Sequence, residues 1–166
     1  MRRWFPILLL SATCMVSCLD HTEEHYTPQI RLSYFLSSAG DTVRWSYDAG
    51  EGIYRVDTVS VGDTICFAFA GMTLANNLQS VQVGWDSASL DLVIGPLGDV
   101  SSILLDTSDT LSGSLLFPPG YNYVAFPVRY TAKKESVSSI DFTLSSDSKY
   151  SPATTQILCP VADTIR

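Results

Sequence analysis

The sharpest chemical motif in the sequence is HTEEH at residues 21–25. Two histidines one helical turn apart can ligate Zn²⁺, with the neighbouring glutamate as general base, when they lie on a helix packed in a core. Here the motif begins three residues after Cys18 and lacks flanking apolar helical periodicity. It also has no obvious downstream metal carboxylate. We therefore interpret it as part of a solvated tether and expect no metal and no other cofactor.

Histidine chemistry is confined to this stretch, because His21 and His25 are the only two histidines of the chain. Ser-His-Asp and Cys-His mechanisms need an imidazole as proton shuttle, so a folded domain downstream could not use them unless the tether folds back. The motifs GxSxG, GxxxxGK and GxGxxG are also absent from the sequence. We expect that the protein is not an enzyme.

Two pairs of aspartates could carry carboxylate chemistry. Asp86 and Asp91 flank one short segment, and Asp106 and Asp109 flank another. Paired carboxylates serve glycoside hydrolysis or calcium binding. Aspartate is also a common turn residue and no DxDxDG spacing occurs, so we interpret these residues as turn formers and keep a carbohydrate-active hydrolase only as a minor alternative.

Aromatic residues are the remaining candidates for a binding site. Exposed rings in a row would suit stacking against sugars, whereas buried rings would be core. Trp45 and Tyr47, in the segment RWSYD, fit either role and are our candidate ligand-stacking residues. Trp85 and Tyr123 are embedded in apolar segments, and we expect both to pack in the core.

The first 18 residues have the layout of an export signal. Arg2 and Arg3 precede an apolar run over residues 4–10, which is far shorter than the roughly 20 residues that span a bilayer. The segment MVSC, ending at Cys18, resembles the lipobox of bacterial lipoproteins, with methionine where that family usually has leucine; Cys14 has a poorer context. The resemblance implies a signal peptide over residues 1–17 and a lipid, including palmitate, on Cys18. An ordinary secretory signal is the alternative.

Residues 18–28 are polar and acidic, and we interpret them as a flexible tether. The stretch is similar to the acidic leader of surface-exported lipoproteins in Bacteroidetes-type bacteria. That resemblance implies a lipid-anchored outer-membrane protein, on the cell surface or the periplasmic face. Several acyl chains, at about 0.8 kcal/mol per buried methylene, would form a stable anchor.

Cys66 and Cys159 are the two cysteines of the remaining chain. In an oxidising compartment they could form a disulfide that closes a loop of about 93 residues. They could equally be two unpaired cysteines that pack as small hydrophobes. The sequence leaves both alternatives open.

The rest of the chain predicts an all-β domain over residues 29–166. Runs of β-branched and aromatic residues are separated by Gly, Pro, Asp and Ser, with period-two alternation in several runs. Residues 100–110 are the least regular segment, a short helix or an excursion between sheets. We predict strands at residues 30–36, 42–47, 53–60, 64–70, 78–85, 90–94, 114–117, 121–130, 138–144 and 155–158.

We expect these strands to form an antiparallel β-sandwich, with a small barrel as the alternative. The segment at residues 59–67, VSVGDTICF, resembles the opening turn of bacterial immunoglobulin-like modules, which implies an immunoglobulin-like sandwich. A composition of 46% hydrophobic and 16% charged residues agrees with a folded chain.

Charge narrows the choice of partner. The chain has 10 basic and 17 acidic residues, and without Arg2 and Arg3 the net charge becomes −9. Nucleic-acid binding requires a basic stripe, so we expect no nucleic-acid partner. The sequence favours a non-catalytic, lipid-anchored binding or structural module of the cell envelope, with a glycan or an envelope protein as candidate partner. A fimbrial or surface-assembly subunit is the alternative.

Overall fold

The computed structural model describes residues 26–163. The predicted signal peptide (1–17), the lipid site Cys18 and the HTEEH motif lie outside this part. No helix within residues 26–163 is both long enough and apolar enough to cross a membrane. In chain order the elements are β1 (Gln29–Ser37), β2 (Trp45–Asp48), β3 (Ile53–Val56), β4 (Val59–Ser60), β5 (Thr64–Met72), β6 (Leu78–Trp85), β7 (Leu90–Ile94), a 3-10 helix (Gly98–Ile103), β8 (Ser114–Leu116), β9 (Tyr123–Ala132), β10 (Ser136–Ser146) and β11 (Ala153–Ala162).

The strands form two packed sheets of unequal width. The small sheet has the order β1-β5-β9-β7, and the large sheet has the order β2-β3-β11-β10-β6-β8, with β4 alongside β11. All pairs are antiparallel except those of β11 with β3 and with β4. The predicted all-β sandwich is therefore confirmed, although the large sheet is mixed. The immunoglobulin-like class stays a prediction.

Strict alternation of buried and exposed residues produces the core. In β9 every second residue, from Val124 to Ala132, points inward. Phe69 stacks on Phe126 of its own sheet at 4.8 Å and on Phe142 of the opposite sheet at 5.2 Å between ring centroids. Such contacts across the roughly 10 Å between two sheets hold a sandwich together.

The strand predictions differ from the structure mainly near the large sheet's first edge. The predicted strand at residues 53–60 is two strands, because the chain leaves β3 at Asp57, whose amide bonds to the carbonyl of Arg44. The predicted strand at 42–47 begins only at Trp45. The irregular segment at 100–110 starts within the 3-10 helix.

The first edges of the two sheets lie against each other. Phe35 of β1 contacts Trp45 of β2 at 5.5 Å between ring centroids. The amide of Leu32 in β1 donates a hydrogen bond of 3.1 Å to the hydroxyl of Tyr54 in β3. The sandwich thus has one side lined by β1 of the small sheet and by β2 and β3 of the large sheet.

Candidate functional site: an aromatic groove

Two aromatic side chains of β2 extend past β1, the edge strand of the small sheet. Trp45 and Tyr47 are two residues apart and therefore share a face, and Tyr47 lies directly across from Tyr54 on β3. Because the small sheet ends at β1, the two rings are only partly covered: Trp45 is 43% and Tyr47 48% exposed. The structure brings both candidate stacking residues together at one open side of the sandwich.

Tyr54 holds these two rings in place. It is buried, and its ring centroid lies 4.5 Å from that of Tyr47 and 5.7 Å from that of Trp45. Its hydroxyl accepts the hydrogen bond from the Leu32 amide. Because the Tyr54 ring is buried and its hydroxyl is hydrogen-bonded, it gives Trp45 and Tyr47 a rigid surface to pack against.

A β-bulge in β1 adds a third exposed ring. The pairing of β1 with β5 shifts between Ser33 and Leu36, which leaves an extra residue on β1. Tyr34 lies in this bulge with a left-handed φ of 58° and a side chain that is 76% exposed. A left-handed backbone costs a non-glycine residue roughly 1–2 kcal/mol, and such strain is often found at functional sites.

The rings border two adjoining depressions that share Arg31 and Trp45, and we call the pair the aromatic groove. Its two halves have volumes of about 560 and 540 Å³, within the usual range of ligand sites. Arg31 and Trp45 line both halves. The lining residues are Gln29, Ile30, Arg31, Leu32, Ser33, Tyr34, Phe35, Leu36, Thr42, Trp45, Tyr47, Tyr54, Ala70, Met72 and Tyr123.

Tyr123 corrects one of the core predictions. It is 53% exposed because it lies on the outward face of β9, opposite Met72 of β5. Val124 occupies the inward position that the apolar context suggested for Tyr123. Trp85 is partly buried and packs against the core, as predicted.

The two cysteines are free, so the structure adopts the unpaired alternative and not the disulfide. Cys66 is half-buried between inward-facing Ile65 and Phe67, whereas Cys159 faces the core and is fully buried. Cys66 therefore lies on the outer face of the small sheet, whereas Cys159, on β11 of the large sheet, points into the core between the two sheets. Burial raises the pKa of Cys159 to about 12. Tyr130 is also fully buried beside Cys159, and burial raises its pKa, with the neighbouring thiol as a smaller cause.

Two of the four candidate aspartates serve turns, as predicted. Asp86 accepts hydrogen bonds from the Ser89 hydroxyl and the Ala88 amide, and these bonds lower its pKa. Asp109 likewise has its pKa lowered, first by Ser112 and then by the Leu111 amide. Both carboxylates stabilise their own loops.

The other two aspartates are exposed and unrelated to the groove. Asp91 lies on β7, and Asp106 lies in the loop after the 3-10 helix. Within residues 26–163, no three His, Cys, Asp or Glu side chains are grouped so that they could hold a metal ion.

A second, polar pocket of about 310 Å³ lies beside β3, β10 and β11. It contains the carboxylates of Glu51 and Asp141. Glu51 pairs with Arg55 at 2.6 Å, and Asp141 accepts a hydrogen bond of 2.6 Å from Gln156. Both carboxylates are engaged by neighbours, and we assign no site there.

Sequence reasoning missed Arg31, Tyr34 and the supporting role of Tyr54. The sequence gives no signal for the bulge, because Ile30, Leu32, Tyr34 and Leu36 alternate as they would in an uninterrupted strand. In the structure the buried residues are instead Leu32 and Phe35, three apart, and the bulge that this spacing requires exposes Tyr34.

Comparisons with known proteins show distant likenesses. No protein-family model matches the chain, and no curated protein matches it. Similar solved structures include a family 123 glycoside hydrolase from Clostridium perfringens, with a TM-score of 0.48, 8% identity and coverage of 84% of this chain and 28% of that chain. The secreted serine protease VesC from Vibrio cholerae has a TM-score of 0.40 and 10% identity, covering 72% and 23%.

Domains 4 and 5 of the S-layer protein SbsC have a TM-score of 0.34 and 13% identity, covering 81% of this chain and 47% of that chain. The chain spans less than half the length of each of these three structures. At these scores the likenesses carry no argument about function.

Proposed function

We propose that this chain is a lipid-anchored protein of the cell envelope whose β-sandwich domain binds a glycan in the aromatic groove. The observation that carries the proposal is the set of partly exposed rings, Tyr34, Trp45, Tyr47 and Tyr123, along the two adjoining halves of the groove. Flat rings offer apolar faces to the C–H groups of sugars, and tyrosine adds a hydroxyl.

Preorganisation supports this function. Trp45 and Tyr47 rest on the buried Tyr54 and on Phe35, so little side-chain freedom remains to be lost when a ligand binds. No carboxylate lines the groove among its described residues. Because glycoside hydrolysis requires a pair of carboxylates at the sugar, the proposal is binding without catalysis.

The alternative of surface assembly by strand addition needs a free strand edge. The edge of β1 beside the groove is already used: Tyr54 accepts the Leu32 amide, and the Val43 amide donates to the Phe35 carbonyl at 2.9 Å. The bulge at Tyr34 also interrupts the edge. These features protect the β1 edge from pairing, and on this side of the sandwich they favour a ligand that lies in the groove over an added strand.

The membrane part of the proposal rests on the lipobox resemblance at Cys18. A lipid there, after cleavage of residues 1–17, would place the domain at the outer membrane on a tether of residues 18–28. We expect Cys18→Ala to abolish acylation, as measured by mass spectrometry of the native protein. An unmodified mature N-terminus at another residue would contradict the lipid anchor.

The glycan proposal is tested by affinity electrophoresis and calorimetry with a panel of neutral and acidic polysaccharides. At least one should bind, and Trp45→Ala and Tyr47→Ala should each weaken it about tenfold, since a stacked ring contributes roughly 0.5–1.5 kcal/mol beyond its buried area. Tyr150→Ala is the matched control, because Tyr150 is a similarly exposed tyrosine outside the groove. Binding that Tyr150→Ala weakens as much, or no binding to any member, would contradict the proposal.

A further inference from the structure

Arg31 is the one charged residue among the described residues that line the aromatic groove. It lies near the middle, since it borders both halves together with Trp45. The chain as a whole is acidic, with a formal net charge of −7. A single cation between aromatic rings on an acidic protein is a local feature that the overall charge does not explain.

The guanidinium of Arg31 has room around it. Its neighbours along the same row of the outer sheet face are Ala70 on β5 and Ala125 on β9, whose side chains are too short to cover it. Within residues 26–163 it forms no salt bridge, whereas Arg44 lies 3.8 Å from Asp57 and Arg55 lies 2.6 Å from Glu51. Arg31 is therefore available for an anion.

We propose that the groove binds an anionic glycan whose sugar carboxylate pairs with Arg31 while neighbouring sugar faces stack on Trp45 and the tyrosines. This inference rests on the proposed glycan binding and names the class of sugar, a uronic acid. A planar guanidinium matches a carboxylate with two parallel N–H···O bonds. A sulfate ester could form the same pair, so the test below includes one.

The test compares each acidic polysaccharide with its uncharged form. The purified full chain is titrated with polygalacturonate, alginate and hyaluronate, each beside its methyl ester, and with dextran sulfate beside dextran. At least one carboxylate form should bind roughly tenfold more tightly than its ester, as expected for a charge-assisted pair. Arg31→Gln should remove this preference and leave equal, weaker binding to both forms.

Two variants complete the design. Arg31→Lys keeps the charge but cannot form the paired bonds, so it should retain only part of the preference. Arg129→Gln is the matched control, because Arg129 is an exposed arginine on the outer face of the same sheet that does not line the groove. It should leave the preference unchanged. Far-UV circular dichroism should be unchanged in all three variants.

The outcomes separate this inference from the proposed function. Equal binding to acid and ester, or a preference that survives Arg31→Gln, would overturn the role of Arg31. Tighter binding to dextran sulfate than to every uronate would overturn the assignment of a uronic acid. If Trp45→Ala and Tyr47→Ala still weakened binding in those cases, the proposed glycan binding in the groove would stand. Absence of binding to every polysaccharide would overturn both.

Discussion

Tyr54→Phe is the substitution that best isolates the support of the groove. It keeps the ring that contacts Phe35, Trp45 and Tyr47 and removes only the hydroxyl that accepts the Leu32 amide at 3.1 Å. Leu32 is 1% exposed, so its amide would be left buried without a partner. Such an orphaned donor costs about 1–3 kcal/mol.

The expected loss of 1–3 kcal/mol corresponds to a fall in Tm of roughly 3–5 °C per kcal/mol for a domain of this size. Urea unfolding should give the free energy, and amide hydrogen exchange should show faster exchange at Leu32. Glycan affinity should fall less than in Trp45→Ala, because every ring of the groove remains.

Tyr47→Phe is the matched control, since Tyr47 lies directly across from Tyr54 but is 48% exposed. Its effect on stability should stay within about 0.5 kcal/mol. The reasoning would be refuted if Tyr54→Phe were as mild as Tyr47→Phe, or if exchange at Leu32 were unchanged.

Three further predictions follow from the fold. Gly113→Ala should destabilise the domain by more than about 2 kcal/mol in urea unfolding, because the new Cβ would overlap the carbonyl oxygen of Val83; Gly40→Ala, at a similar positive φ in open space, should cost about 1 kcal/mol. Between pH 9 and 12 the buried Cys159 thiol stays protonated in the folded chain but ionises when unfolded, so it should lower stability by about 1.4 kcal/mol per pH unit, and the buried Tyr130 hydroxyl should add a similar slope above pH 10. Cys159→Ala should therefore remove the slope between pH 9 and 10 and leave the contribution of Tyr130 above pH 10. Tyr34→Gly should relieve the strain of the left-handed backbone, so that the domain is as stable as the wild type or up to about 1 kcal/mol more stable, while glycan affinity falls. A variant less stable than the wild type would contradict the inference that Tyr34 is strained.

Alternation predicted the β-rich core well where one face of a strand is clearly polar. The predicted strands at residues 78–85 and 90–94 have the observed bounds of β6 and β7. β10 alternates in the same way, with Ile140, Phe142 and Leu144 inward. In such strands the pattern of side chains decides both the element and the buried face.

Alternation failed where both faces of a strand are apolar. In β9 the outward residues Tyr123, Ala125 and Pro127 are as apolar as the inward residues beside them, so the sequence alone does not say which face is covered. The cysteines raise the same difficulty, because their pairing depends on which faces Cys66 and Cys159 occupy. Only the packing of the two sheets settles that question.

Only part of the groove could be predicted from the sequence, for a related reason. Trp45 and Tyr47 were candidates from their residue types and spacing, but their partial exposure depends on the small sheet ending at β1. Arg31 belongs to the groove because β1 is an edge strand, a property of strand order that local sequence does not contain. Its neighbours Ala70 and Ala125 are distant in the chain.

The most direct test of glycan binding in the aromatic groove is the NMR signal of the tryptophan indole N–H groups during titration with the most tightly bound oligosaccharide. Trp45 lines the groove, whereas Trp85 lies on β6, four strand steps or roughly 19 Å away in the same sheet. We predict that the Trp45 signal shifts with the binding curve while the Trp85 signal stays in place. A Trp45 signal that does not move at saturation, or a shift confined to Trp85, would contradict the account.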